Sequence, residues 1–189
     1  MLHSAFYRFS PIDAPKVAAP RLRALAQGLL GSIVVAGEGV SGAVAGAADR
    51  VAMFEAATQS DELLGPVLHG VAFKHSQCTT APFARLKINV IPEIVALGLP
   101  DTDALTPPNE ADDSHLSPQA WRKLLAAGDA VVLDNRNHFE YRLGHFRGAV
   151  DPQVHNFRDF VDYVREHAPA WRAAGQPVAM YCTGGIRCE

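Results

Sequence analysis

Pro177-Val178-Ala179-Met180-Tyr181-Cys182-Thr183-Gly184-Gly185-Ile186-Arg187 is an apolar, β-prone run that leads straight into a cysteine, two glycines and an arginine. It reads as a buried strand feeding a tight loop. In open α/β sheets the carboxyl ends of strands are where ligands sit, so the position of the loop favours function. The glycines Gly184 and Gly185 are free to adopt positive φ, which lets consecutive backbone N–H groups turn inward around the sulfur of Cys182. Such a cradle stabilises an anion and lowers the thiol pKa toward neutrality, giving the nucleophilic thiolate. Arg187 is expected to add positive charge at the rim. The bland alternative is a buried cysteine beside a loose Gly-Gly turn.

Upstream, Ser117-Pro118 reads as N-cap and first residue of a helix, and Ala130-Val131-Val132-Leu133 as a strand buried on both faces. Residues 157–167 form a third element, a helix. Strands alternating with helices imply a parallel α/β sheet over residues 117–189. Asp134, Arg136 and Glu140 follow the strand at 130–133. Two roles are open for them: Asp134 and Arg136 lining the pocket that faces Cys182, or Arg136 and Glu140 paired to hold the loop. Cys188 is either a thiol that captures an oxidised Cys182 or an inert residue.

The first half follows a different pattern. A strand at 4–9, a helix capped by Asp13 and running to about Leu30, and a strand at 31–36 come first. A brief strand at 43–45, a helix at 47–59, and strands at 67–76 and 85–91 follow. Counted from the start, the order β-α-β-β-α-β is ferredoxin-like, with both helices on one face of an antiparallel sheet. The first helix is expected to bury Val17, Leu22, Leu25 and Leu29, with Pro20 kinking it. Residues 100–116, rich in Asp, Pro, Asn and Thr, read as a linker between domains at 1–99 and 117–189.

The 189 residues carry 17 Lys and Arg against 20 Asp and Glu, a net charge of −3, so any nucleic-acid site is a local patch. Lys74, Arg85 and Lys87 are its candidates, with Phe73 and Phe83 for stacking; a merely solvated surface is the competing reading. Three cysteines argue for reduced thiols rather than a disulfide framework. No secretory leader and no membrane-length apolar run is read, so a soluble cytoplasmic protein is expected. His75 and Cys78 lack the further ligands a metal needs, and no metal is expected. Gly37-Glu38-Gly39-Val40-Ser41-Gly42 spells a dinucleotide fingerprint, but the residues after it read as strand rather than helix. A glycine-rich connection, or a loop touching RNA, is the preferred reading.

The loop Cys182 to Arg187 resembles the active loop of the rhodanese superfamily, and Val132 to Asn137 with Glu140 resembles that domain's Asp-x-Arg strand end. Its six residues match the rhodanese length, where related phosphatases use seven. More narrowly, Cys182 to Glu189 is similar to the signature of the rhodanese-related tRNA uridine hydroxylases. Residues 37–46, Phe73-Lys74 with Ser76, residues 82–87 and residues 93–95 resemble that family's N-terminal domain. Ser41, Ala43 and Asn135 depart from it.

The resemblance implies an acylphosphatase-like N-terminal domain that docks tRNA and 5-hydroxylation of a wobble uridine. Molecular oxygen would be co-substrate and Cys182 essential, by way of a persulfide or oxidised-sulfur intermediate. In that family a helix, a last strand and a cysteine-rich tail follow the loop. With Glu189 as its last residue, the chain is expected to be an incomplete and poorly active piece. A persulfide-carrying sulfurtransferase and a non-catalytic RNA- or protein-binding module are the rival functions. Neither DNA nor a membrane is an expected partner, and oligomeric state is left open.

Overall fold

The structure, a computed structural model, describes residues 1–98 and 115–189. The chain forms two compact units, Met1–Ile94 and Val95–Glu189. The expected linker lies, apart from its last two residues, outside the described residues.

The first unit runs β1 (Leu2–Phe9), α1 (Pro15–Leu25), β2 (Leu30–Ala36), β3 (Gly39–Gly46), α2 (Ala48–Ser60), α3 (Gly65–Leu68), β4 (Lys74–Gln77) and β5 (Leu86–Val90). Its sheet has the order β4-β1-β3-β2-β5. The first four strands give the ferredoxin-like arrangement, and β5 extends it by pairing parallel to β2. One face is buried: Phe6, Ile33, Val35, Val40, Val44 and Ile88 meet Leu22 of α1 and Val51 and Phe54 of α2.

Three sequence expectations change here. The first helix ends at Leu25, not Leu30, and Asp13 does not cap it; Ala14 holds the N-cap position without a side-chain bond. Its buried face is Ala18, Ala19, Leu22 and Ala26, while Val17 is 58% exposed. Small alanines allow a closer approach to the sheet than the wider leucine stripe expected.

Residues 67–73 are not strand. Pro66, which has no N–H for a ladder, sits in the first turn of α3, and the buried Asp61 carboxylate accepts from Leu63 N and Leu64 N, both at 3.1 Å. Burial raises the Asp61 pKa, but the Arg21 bond at 2.6 Å and these amides outweigh it and leave the carboxyl below its ordinary value. Finally, β3 starts at Gly39, so the glycine-rich stretch is a two-residue turn followed by strand. At Gly42 a Cβ would lie 2.7 Å from Ser32 O, which only glycine avoids.

The second unit contains α4 (Pro118–Ala127), β6 (Val131–Asp134), α5 (His138–Leu143), α6 (Phe157–Ala173) and β7 (Val178–Tyr181), then a single 3-10 turn, Ile186–Cys188. Ser117 caps α4 by accepting from Ala120 N at 3.2 Å. Strands β6 and β7 are parallel, in register Val131↔Val178 to Asp134↔Tyr181. Val150 makes a bridge on the other side of Leu133. Thus β6 is central, and its Leu133 packs with Val154 and Phe160. The expectation that β7 is fully buried does not hold: Val178 and Met180 are 42% and 40% exposed. Among the described residues β7 pairs only with β6, so one of its edges stays unpaired.

Candidate active site

The C-terminal ends of β6 and β7 lie side by side, and each delivers one half of the site. After Tyr181 the chain turns at Cys182, and Gly185, at φ +95, donates its N–H to Cys182 Sγ at 3.0 Å. That conformation is left-handed, the region where a side chain is strained. The strongest influence lowering the Cys182 pKa is a hydrogen bond from the Cys188 thiol. Burial opposes it, and the backbone N–H groups of Arg187, Gly185 and Gly184 reinforce it, bringing the thiol from an ordinary 9.0 to about 6. At neutral pH this is a thiolate, the form that attacks electrophiles.

Beneath the loop lies a buried polar cluster. Asp134, fully buried, receives Arg136 Nε at 2.8 Å and Nη2 at 2.6 Å, and the Tyr181 hydroxyl at 2.6 Å. Burial alone would raise the Asp134 carboxyl, but these bonds outweigh it and hold the group below the usual carboxylate value. Burial, joined by the Asp134 bond, pushes the Tyr181 phenol up to about 12, so it stays a donor. Arg136 also donates to Gly144 O at 2.6 Å.

The ion pair weighed between Arg136 and Glu140 does not form. Arg136 is claimed by Asp134, and Glu140 instead pairs with Arg187 at 2.7 Å. Arg187 therefore contributes its backbone N–H to the sulfur, while its guanidinium is turned to Glu140. Glu140 also accepts from Asn137 N at 3.2 Å, closing the capping box of α5, and from Thr183 Oγ1 at 3.4 Å.

A cavity of about 320 Å³ opens beside the sulfur, lined by Arg136, Gly144, His145, Phe146, Tyr181, Cys182 and Thr183. That is the lower end of small-ligand sites, which run roughly 300–1,000 Å³. Asp134 lies beneath and does not line it. Phe146 and Tyr181 meet edge to face at 4.8 Å, and Trp121 backs both. Ile186 lies in the turn that carries the loop back toward Cys182. Sequence reasoning missed Asn135, His145, Phe146 and Tyr181. Asn135 was legible only as the middle of the Asp-x-Arg stretch, yet it is 1% exposed and its Nδ2 donates to the Arg187 carbonyl.

In the first unit, Lys74 and Lys87 stand at opposite edges of the sheet. The register Lys74↔Ala5↔Ala43↔Ser32↔Lys87 puts them in one row on the face away from the helices, with Arg85 two residues before Lys87. Four strand spacings of about 4.8 Å separate the ends by roughly 19 Å, so the three cations form no single cluster. Lys74 Nζ lies 5.1 Å from the Tyr7 ring centroid, His75 bonds Glu55 at 2.6 Å on the other face, and Phe73 packs on Phe6 rather than standing free to stack. Among the described residues no group of three or more metal-ligating side chains gathers, and no helix is long and apolar enough to cross a membrane.

Comparison with known proteins divides the chain in the same way. Residues 1–94 match the UPF0176 acylphosphatase like domain and residues 117–189 the rhodanese-like domain. The chain is 42% identical over 188 residues to a tRNA uridine(34) hydroxylase of Nitrobacter hamburgensis, covering 98% of the chain and 71% of that protein. It is 40% identical over 188 residues to one of Deinococcus radiodurans, covering 98% and 59%. With one of Acinetobacter baumannii it shares 36% identity over 98% of the chain and 56% of the relative.

Proposed function

The chain belongs to the tRNA uridine(34) hydroxylase family, and from that premise we propose that it hydroxylates the wobble uridine of tRNA at C5 with molecular oxygen as co-substrate. The observation that carries this reading is the Cys182 sulfur, held as a thiolate by the Cys188 thiol and the loop amides and opening onto a cavity with aromatic walls. A base drawn out of its stack needs a flat apolar wall and nearby donors. Phe146 and Tyr181 provide the wall. Arg136, fixed on two sides by Asp134 and Gly144, stands at its edge as a pre-organised donor.

In this reading the residues divide their work. Cys182 is the reacting group. Gly184, Gly185 and the Arg187 N–H stabilise its charge. Glu140 anchors Arg187 and with it the far end of the loop. The open sheet face of the first unit, with Lys74, Arg85 and Lys87, is the docking face for tRNA phosphates, and the cytoplasm, where tRNA resides, is the compartment.

Nucleoside mass spectrometry of tRNA from cells lacking the gene tests this. Wild type should restore 5-hydroxyuridine-derived nucleosides and Cys182→Ala should not. Full restoration by Cys182→Ala would refute an enzymatic role for the loop.

A further inference from the structure

Two thiols share one hydrogen bond in this site. The 3-10 turn carries Cys188 back over the loop. Its N–H donates to Gly185 O at 2.8 Å, its thiol donates to Cys182 Sγ, and Asn135 Nδ2 lies 3.9 Å from its sulfur. Asn135 is buried and fixed by its second bond to the Arg187 carbonyl, so Cys188 is held in place from below. The hydrogen bond to Cys182 and burial both raise the Cys188 pKa. The pair therefore carries one thiolate and one thiol at neutral pH, a charge state that neither cysteine alone dictates.

Hydroxylation by molecular oxygen places one oxygen atom on carbon and must reduce the other to water. That second atom requires two electrons and two protons from a donor. A neighbouring pair of thiols supplies both when it closes to a disulfide. We propose that Cys182 and Cys188 are the two-electron donor of the hydroxylation, passing in each turnover from the dithiol to a Cys182–Cys188 disulfide.

The uridine C5–H, O2 and the two thiols yield C5–OH, one water and the disulfide. The O–O and C5–H bonds break, one oxygen enters at C5, and the hydrogen lost from C5 is matched by the proton of the new hydroxyl. The other oxygen leaves as water with two protons, one from Cys188 and one from solvent in place of that already lost by Cys182. Each sulfur gives up one electron as the S–S bond forms. The Gly185 peptide holds both residues, its N–H on the Cys182 sulfur at 3.0 Å and its carbonyl on the Cys188 N–H at 2.8 Å, so closure to an S–S bond of about 2.05 Å joins neighbours on one turn. A dithiol reductant then reopens the disulfide by exchange. Cys188 is on this account a catalytic residue, and Asn135 positions it.

The inference rests on the hydroxylase reading, and one experiment separates their fates. Full-length protein is reduced, freed of small thiols, and given oxygen and an unmodified tRNA with uridine at the wobble position. Wild type should make at most one hydroxylated uridine per chain. Peptide mass spectrometry should find a matching amount of Cys182–Cys188 disulfide, with Cys78 still free, and an added dithiol should restore turnover. Cys188→Ser, which keeps a hydrogen-bond donor at the sulfur, should leave Cys182 open to iodoacetamide at pH 7 yet lower hydroxylation by about tenfold or more. Repeated turnover with both cysteines reduced, or normal activity of Cys188→Ser, overturns the inference and leaves the hydroxylase reading standing. No hydroxylated uridine from wild type overturns both.

Discussion

The Arg187 guanidinium donates to the Glu140 carboxylate at 2.7 Å, while the backbone N–H of the same arginine bonds the Cys182 sulfur. One residue thus ties the thiolate to the first turn of α5, where Glu140 also closes the helix cap. The charge of Arg187 anchors the loop from which its amide acts.

Glu140→Gln should therefore loosen cap and loop together. Loss of a charged hydrogen bond and weakening of a cap suggest about 1–2 kcal/mol in denaturant unfolding. Alkylation of Cys182 at pH 7 should slow in parallel. A double-mutant cycle with Arg187→Ala should show the two effects to be less than additive, and full additivity would mean that the pair is not coupled.

Arg136→Ala leaves the buried Asp134 with the Tyr181 hydroxyl as its remaining side-chain partner. Breaking a buried pair in this way removes roughly 3–5 kcal/mol, so this variant should be the least stable of those considered. The pH dependence has a definite sign. The Asp134 pKa is depressed in the fold, so its contribution is present above the ordinary 3.8 and is lost as pH falls through the folded value. Wild type should lose its advantage over Asp134→Asn only in strong acid, as followed by unfolding at pH 2 to 5.

Gly185→Ala places a side chain at φ +95, at an expected strain of about 1–2 kcal/mol. Relief of that strain would swing the 3.0 Å N–H away from the sulfur. The variant should alkylate more slowly than wild type at pH 7 and approach it above pH 9. Equal rates at both pH values would show that this amide does not hold the thiolate.

If the open sheet face meets phosphates, Lys87→Glu should weaken tRNA binding across sequences. The slope of log affinity against log salt should also become shallower, by roughly 0.7–0.9 for each phosphate left without its cation. Filter binding at 50 to 200 mM salt measures it, and an unchanged slope would remove Lys87 from the docking face.

Much of this was legible in the sequence where local signals agreed. Ser117-Pro118 marked the start of α4, and the run into Cys182 marked both strand and loop. The glycines of residues 37–46 misled because their low strand propensity hides a packing demand: strands too close for a Cβ select glycine within the ladder. Val67 and Leu68 are buried as a strand would bury them, but the carboxylate of Asp61 and the ring of Pro66 turn that burial into a helical turn. The partners of Arg136 and Arg187 were not legible. Asp134, two residues before Arg136, and Glu140, four after it, compete locally for that arginine, whereas Arg187 is 47 residues from Glu140 and meets it only because the parallel register of β6 and β7 brings the loop beside α5. Asn135 showed only as a departure within the Asp-x-Arg stretch, because its role depends on Arg187 and Cys188, more than fifty residues on.

The charge on Cys182 remains the point on which the rest turns. A thiol whose folded pKa is depressed stabilises the fold above its unfolded value near 9, and that contribution fades as pH falls toward 6. The most direct measurement is the rate of Cys182 alkylation by iodoacetamide between pH 4 and 10, read by peptide mass spectrometry with Cys78 as internal reference. The rate should rise with an inflection near pH 6 for Cys182. An inflection near 9, coincident with an ordinary thiol, would contradict the cradle and the chemistry built on it.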